Sequence, residues 1–242
     1  MRFCGIDPRT IHPAISIAKE IYPGMARREV MSARGNSGET LAGYQEERDE
    51  AVIKVNIAAR SRAEAYEARA VLAKWAAASG EKTGVLEPTH WRGKAYNAIL
   101  SEISAPEFKV GFATVEVTFI LPRGQAYDTA QSYASGAGSV DVNVGGSDKA
   151  RPVIAQTLDA DADGLVWSVD GVPFMTLTSS IPAGSRVEAD FTQDSLTIDD
   201  EHKENMIDYT ATTWHPGFTP GRHVITSTDG GRIEARWHSE WI

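Results

Sequence analysis

The feature that most constrains the fold is a series of short alternating segments that fills the second half of the chain. None of these segments has the apolar period of a helix, and turn residues separate them at short intervals. Many short strands at such spacing are typical of a β-sandwich. The predicted strands are 140–144, 152–158, 165–169, 174–178, 186–191, 196–198, 223–227 and 232–237.

Two further patterns divide the chain. Asp229, Gly230 and Gly231 separate the last two predicted strands, and this turn predicts the clearest β-hairpin of the molecule. Residues 129–139 are rich in Ser, Gly and Ala, and we interpret them as a linker. The sequence therefore predicts a first domain at 1–128 and a β-sandwich domain at 140–242.

The first domain is predicted to be mainly β with one packed helix, an α+β arrangement. The helix is expected at residues 61–79, because Ser61 and Glu64 have the spacing of a capping box and Gly80 follows the last turn. Residues at three- and four-residue spacing form one apolar stripe, which is expected to face the core. These residues are Ala68, Val71, Leu72 and Trp75.

Apolar and polar residues alternate in four segments of the first domain, which predicts strands at 13–21, 51–59, 94–100 and 111–121. Between the first two, residues 27–50 are polar and end in an acidic run. We interpret this segment as a long hairpin, because Val30, Leu41 and Tyr44 are apolar positions that a solvated loop does not need. A flexible loop is the alternative that the residues leave open.

Composition excludes several classes of protein. The net charge of −9 disfavours binding to nucleic acid, so no sequence-specific nucleic-acid partner is expected. No apolar run approaches 18 residues and the first residues do not form a signal peptide, so we expect no membrane insertion and assembly in the cytosol. The single cysteine, Cys4, forms no intrachain disulfide and is expected to be a small filler, with a reactive thiol as the alternative.

One segment partly matches a calcium-binding loop. Residues 159–164 (DADADG), with Asp170 at the twelfth position, fit the spacing of such loops. Against this, Trp167 occupies a ligand position, Asp170 is shorter than the usual Glu, and the flanking segments resemble strands. We therefore favour an acidic, solvated turn and assign no metal ligand, with calcium binding as the open alternative.

No catalytic or cofactor-binding residue is assigned, and no cofactor is expected. The histidines have no metal-pair spacing, and neither a nucleophile elbow nor a phosphate-binding glycine loop is present. Two alternatives stay open. A hydrolase triad would require a Ser or Cys beside a histidine. A carbohydrate-binding module would require an exposed indole, for which Trp214 and then Trp167 are candidates, whereas Trp237 is expected in the core.

Several short stretches carry a resemblance through their order and spacing. In the second half they are 142–147 (VNVGGS), 150–154 (ARPVI), 216–225 (PGFTPGRHVI), 232–237 (RIEARW) and 240–242 (EWI). In the first half they are 94–98 (KAYNA) and 117–122 (VTFILP), which follow a strand, a long hairpin, a strand and a capped helix. Together they resemble the distal tail proteins of long-tailed bacteriophages (siphoviruses). That family commonly has Asn where this chain has His223.

The resemblance implies a structural virion protein, not an enzyme, whose second domain is a galectin-like β-sandwich. In that family the N-terminal domain builds a hexameric ring at the tail tip or baseplate, and its hairpin wraps a neighbouring subunit. The galectin-like domain projects outward, and DNA passes through the central channel. The implied partners are the tail-tube protein, a tail-associated fibre or lysin, and receptor-binding proteins. An acidic chain suits a channel wall that DNA does not stick to.

Overall fold

The computed structural model describes residues 1–22, 28–35, 38–46, 49–80, 82–212 and 217–241. The chain forms two compact units, Met1–Tyr127 and Asp128–Trp241. Both are built mainly from antiparallel strands, so the mainly β, α+β fold class that the sequence predicts is confirmed. None of the described helices is long and apolar enough to cross a membrane.

The first unit contains one large sheet, a separate two-stranded sheet and two helices. Its elements are β1 (Arg2–Phe3), α1 (Pro8–Ile11), β2 (Ile15–Ile21), β3 (Arg28–Gly35), β4 (Gly38–Glu46), β5 (Asp49–Ile57), α2 (Arg62–Ala76), β6 (Gly84–Glu87), β7 (Lys94–Ile103), β8 (Glu107–Lys109), β9 (Phe112–Leu121) and β10 (Ala126–Asp128). The strand order of the large sheet is β1-β6-β7-β9-β5-β2, with β8 on β9 and β10 on β7.

Helix α2 begins as the sequence predicts. Ser61 is the N-cap, and its hydroxyl oxygen accepts a hydrogen bond from the Glu64 N–H at 3.2 Å. The Glu64 carboxylate reaches back and accepts from the Arg60 N–H at 2.8 Å. Two backbone donors at the start of the helix are thus satisfied by side chains, which is the physical role of a capping box.

The helix packs on the sheet through an aromatic cluster. The rings of Phe3 and Phe119 lie 4.8 Å apart, and Trp75 contacts both edge-on at about 6 Å. The Trp75 indole N–H donates to the Ile6 carbonyl at 2.9 Å, so its polar atom is satisfied inside the core. Val71, predicted on the same stripe, is only half-buried. The predicted inward faces of β5 and β9 are confirmed by the buried residues Ile53, Val55, Ile57, Val115, Val117 and Phe119.

The second unit is a β-sandwich whose core draws on both of its sheets. Its strands are β11 (Ser132–Ala137), β12 (Ser139–Val144), β13 (Val153–Leu158), β14 (Leu165–Val169), β15 (Val172–Leu177), β16 (Arg186–Asp190), β17 (Ser195–Ile198), β18 (Glu201–His202), β19 (Gly221–Ser227) and β20 (Gly231–Trp237). The short strand β21 (Glu240–Trp241) follows them and belongs to neither sheet of the sandwich. One sheet has the order β11-β20-β13-β16-β17-β18 and the other β12-β19-β14-β15.

All eight strands predicted in this half are present, but the hairpin predicted across residues 229–231 is wrong. Strands β19 and β20 belong to different sheets, where β19 pairs with β12 and β20 pairs with β11. The predicted linker also differs, because it includes β11. The chain changes sheets at two bends, which are Gly138 between β11 and β12 and the turn before Gly231 between β19 and β20. The Gly138 N–H donates to the Gly231 carbonyl at 2.8 Å, which joins the two bends.

A buried glutamine holds this bend against the core. Gln156 on β13 has no exposed surface, and its amide nitrogen donates to the carbonyls of Asp229 and Gly230, each at 3.0 Å. Its amide oxygen accepts from the indole N–H of Trp167 at 2.6 Å. Since Trp167 lies on β14 in the opposite sheet and is itself fully buried, one side chain connects both layers and the turn between them.

We expect Gln156→Leu to destabilise the second unit by about 3 kcal/mol. The substitution keeps the volume but leaves the buried Trp167 N–H without a partner and removes both bonds to the turn carbonyls, at a cost of roughly 1–3 kcal/mol for the buried donor and about 1 kcal/mol for each lost bond. Urea unfolding followed by tryptophan fluorescence measures the change. Gln193→Leu, at an exposed turn position, is the matched control. Equal stability of the two variants would show that the amide does not hold the bend.

Candidate functional site

The long hairpin predicted at residues 27–50 is present in the described part of that segment. Strands β3 and β4 form a two-stranded ribbon that pairs with no other described strand. In the chain it lies between β2 and β5, which are neighbours at one edge of the large sheet. The ribbon is therefore an insertion between two paired strands at the edge of the large sheet.

Pairing in the ribbon sets which of its apolar positions lie opposite one another. Val30 is the register partner of Tyr44, and Ser32 is the partner of Leu41. A register shift between Met31 and Ser32 adds one residue to β4. Val30 and Tyr44 thus form an apolar register pair within the ribbon.

Register pairs of opposite charge occur near both ends of the ribbon. Arg28 is the register partner of Glu46 near the sheet, and Arg34 is the partner of Glu39 near the turn. Pairs of opposite charge directly across two strands favour one register over its neighbours. The pattern therefore defines a ribbon with a set register and an apolar middle.

Glu20, on strand β2, connects the two ends of the large sheet. Its side chain, 10% exposed, extends from edge strand β2 towards Thr89, which follows β6 near the other edge. The carboxylate accepts from the Thr89 hydroxyl at 2.6 Å, from the Thr89 N–H at 3.0 Å and from the Tyr22 hydroxyl at 3.3 Å. Burial raises the pKa of Glu20, but the hydrogen bonds from Thr89 and Tyr22 and the charge of the N-terminal amino group together lower it by more, so the net direction is downward.

An open cavity of about 450 Å³ lies next to Glu20. Tyr22 stacks on Tyr96 within it, with ring planes 12° apart, and burial together with the Glu20 charge raises the pKa of Tyr22. Because the Glu20 carboxylate already accepts three hydrogen bonds, its role here is structural. The residues lining the cavity are Lys19, Glu20, Ile21, Tyr22, His90, Trp91 and Tyr96.

The outer face of the six-stranded sheet in the second unit carries a network of charges. Arg236 on β20 reaches Glu188 on β16 at 2.8 Å, and Arg186 on β16 reaches Glu234 on β20 at 3.4 Å. Both pairs cross over β13, where Ala155 is the register partner of Glu188 and Glu234. The short side chain of Ala155 leaves room for the crossing ion pairs. Ala155 is only 1% exposed, so the ion pairs cover this part of the sheet.

The two units differ strongly in charge. Residues 1–127 contain 17 Lys and Arg against 15 Asp and Glu, a formal charge of +2. Residues 128–242 contain 7 against 18, a formal charge of −11. The acidity of the chain is therefore a property of the second unit alone.

The carboxylates of the candidate calcium loop do not converge on one point. The segment 159–164 crosses between sheets, from β13 to β14, and its acidic side chains have separate partners. Asp161 accepts from the Ala183 N–H at 2.8 Å and Asp163 from the Ser180 hydroxyl at 3.3 Å. Asp170 instead accepts from His223 and from the Val224 N–H. Across the described ranges, no three His, Cys, Asp or Glu residues are arranged to hold a metal ion.

At His223 the arrangement does not fit a hydrolase triad. Nδ1 of His223 lies 2.7 Å from Asp170, and Nε2 lies 3.4 Å from the Thr219 hydroxyl but 2.8 Å from the Thr219 carbonyl. A nitrogen that donates to a carbonyl has no lone pair with which to accept a proton, so this arrangement is not that of a general base. His202 contacts Glu204 and His238 contacts the Asp128 carbonyl, while His215 lies outside the described residues.

The tryptophan and cysteine candidates also have definite places. Trp167 is fully buried and cannot stack on a sugar, and Trp237 is 4% exposed, as predicted for a core residue. Trp214 lies outside the described residues. Cys4 is exposed and has a φ of +49°, so the prediction of a small filler is wrong, because the turn after β1 directs this residue outward.

Sequence reasoning missed Gln156, Glu20 and Ala155. The only available signal was the residue type at an alternating strand position, namely a polar side chain where an apolar one is expected, or the reverse. That signal identifies an exception but not its partner, since Glu20 and Thr89 are 69 residues apart.

Comparison with known proteins adds a match in fold. No protein-family model and no curated protein sequence matches the chain. The crystal structure of the SPP1 Dit protein, described as a paradigm of the hub adsorption apparatus of phages that infect Gram-positive bacteria, is similar over 100% of this chain and 98% of its own, with a TM-score of 0.79 and 10% identity. A chain of the phage p2 baseplate, in its activated conformation with strontium, covers 93% and 90% with a TM-score of 0.51 and 10% identity. The chain therefore has the fold of a phage distal tail (Dit) hub protein, over both of its units.

Proposed function

We propose that this protein is a structural component of a phage tail tip or baseplate. It forms a hexameric hub ring that joins the tail tube to tail-associated and receptor-binding proteins and lets DNA pass through. The observation that carries this proposal is the similarity to the SPP1 Dit hub protein along the full length of both chains. Its place is the virion tail tip after assembly in the host cytoplasm, and its role is architectural, not enzymatic.

The first unit builds the ring in this proposal, and the ribbon of β3 and β4 is the element that reaches a neighbouring copy. An isolated two-stranded ribbon is marginally stable in water and gains stability by packing its apolar residues. Within the described chain the ribbon pairs only with itself. A second copy of the chain supplies the missing surface, and repetition of the same contact around an axis closes a ring.

The net charge of the whole chain does not describe the wall of the proposed channel. The net charge of −9 is the sum of a first unit at +2 and a second unit at −11. If the first unit lines the channel, the acidity of the chain does not describe its wall. A wall that repels DNA then depends on which of the 15 acidic residues of this unit face the axis.

We expect the purified protein to have six times the 26.2 kDa mass of one chain, or twelve times if two rings stack. Light scattering after size exclusion measures the mass, and electron microscopy of the same fraction is expected to show a ring with a central opening. A monomer at high protein concentration would contradict the proposed ring.

Substituting the apolar register pair of the ribbon is expected to dissolve the ring without unfolding the chain. The double variant Val30→Ser with Tyr44→Ser changes an apolar register pair, and Glu29→Ser with Gln45→Ser changes the polar pair next to it. Light scattering is expected to show a monomer for the first and a ring for the second, because only the first removes apolar area from the proposed contact. Equal assembly of both variants would remove the apolar pair from the interface.

A further inference from the structure

His223 is held by acceptors at both of its ring nitrogens. It lies near the start of β19, and 14% of its side chain is exposed. Nδ1 lies 2.7 Å from a carboxylate oxygen of Asp170, and Nε2 lies 2.8 Å from the carbonyl oxygen of Thr219. Neither an ionised carboxylate nor a carbonyl has a proton to donate, and a neutral imidazole has only one N–H. Both hydrogen bonds are therefore formed only when the ring is an imidazolium.

The Asp170 carboxylate is fixed in place by its turn. Asp170 and Gly171 connect β14 to β15 and have φ values of +52° and +81°, the left-handed pair typical of a two-residue hairpin turn. The Asp170 N–H donates to the Val224 carbonyl, and the second carboxylate oxygen accepts from the Val224 N–H, each at 2.9 Å. The Asp170 carboxylate thus keeps its position whether or not the His223 ring carries a second proton.

The segment 217–220 contacts the same ring through Phe218 and Thr219. Phe218 stacks on the imidazole with centroids 5.7 Å apart and exchanges two backbone hydrogen bonds of 2.9 Å with Ala150. The next residue, Thr219, supplies the carbonyl that Nε2–H reaches, and its hydroxyl lies 3.4 Å from the same nitrogen. His223 therefore connects this segment to the Asp170 turn across one end of the sandwich.

Few other charges act on the ring. Arg222, adjacent in sequence, is paired with Asp141 on β12 at 2.9 Å. Lys149 packs its side chain against Gly217 in the neighbouring segment. Burial lowers the pKa of His223, and the Asp170 carboxylate and Thr219 carbonyl raise it by more, so the net direction is upward from 6.5. The pKa of Asp170 is lowered, with the hydrogen bond from His223 as the main cause.

We propose that His223 is a proton-dependent clasp, which as an imidazolium fastens residues 217–220 to the Asp170 turn and on losing its proton releases them. A group whose pKa is higher in the folded state contributes stability that is complete below its unfolded pKa. That contribution is lost as the pH rises through the folded pKa. The clasp is therefore closed below the ordinary histidine pKa of 6.5 and opens as the pH rises through the raised pKa of His223.

Hydrogen exchange of the full-length protein, read on peptides covering 217–225 and corrected for the intrinsic pH dependence, tests the clasp. At pH 6 we expect this segment to exchange about tenfold more slowly in the wild type than in Asp170→Asn, the factor that one hydrogen bond to a charged group contributes. At pH 9 the variant is expected to exchange no faster than the wild type, because the wild type has lost the contact and the side-chain amide of the variant donates to Nδ1 of the neutral ring. Asn keeps the turn, because it tolerates the left-handed conformation and retains an oxygen for the Val224 N–H.

A matched histidine serves as the control. His202 is 73% exposed and contacts Glu204 at 2.9 Å through one nitrogen, without the second acceptor that His223 has. His223→Asn is expected to speed exchange of the 217–225 segment at pH 6 only, whereas His202→Asn leaves it unchanged at both pH values. Slow exchange of the wild-type segment at pH 9, or equal exchange in wild type and Asp170→Asn at pH 6, would overturn the proposal. The experiment does not depend on the oligomeric state, so its outcome is separate from that of the proposed ring.

Discussion

The second unit depends on the three hydrogen bonds of one buried amide. Gln156 binds two carbonyls of the turn before β20 and the indole of Trp167, and the side chains of Gln156 and Trp167 are both fully buried. Apolar contacts between two sheets set their distance but allow them to slide, because such contacts have no direction. Hydrogen bonds have direction, and a buried one left unmade costs far more than a made one contributes. The amide therefore fixes where the chain changes sheets and how the two sheets lie on each other.

That bend marks the limit of what the sequence predicts about the fold. Alternation located every strand of the second half except β11, β18 and β21, because burial of one face depends on local residue order. It did not tell which strands share a sheet. A tight hairpin turn is typical of the residue types at 229–231. In the structure this turn instead takes the chain from one sheet to the other, with Gly231 at positive φ. The Ser- and Gly-rich segment before residue 140 suggested a linker for a similar reason, since the small residues of β11 pair with β20.

The candidate surfaces were predictable to a different extent. The long hairpin followed from its apolar positions, and the helix from its capping box, because both signals are local. The pairing within the ribbon was not predictable, because a register shift makes Leu41 instead of Ala42 the partner of Ser32. Asp170 was assigned to a possible calcium loop on spacing alone, and its partner His223 is 53 residues away. Spacing identifies the carboxylate, whereas the pairing of β14 with β19 decides what it binds.

The division of charge gives the proposed assembly a physical direction. Six second units, each at −11, repel one another when gathered around one axis, and the repulsion falls as they move apart. Charges farther apart than about 8 Å are largely screened at physiological salt, so the effect disfavours close contact rather than setting a long-range arrangement. First units near neutrality pack side by side without this penalty. The same charge disfavours the second unit as a surface for DNA and favours partners that present basic faces. The charges alone do not set an arrangement, but a near-neutral first unit and an acidic second unit are compatible with the ring and the outward domains of the proposed assembly.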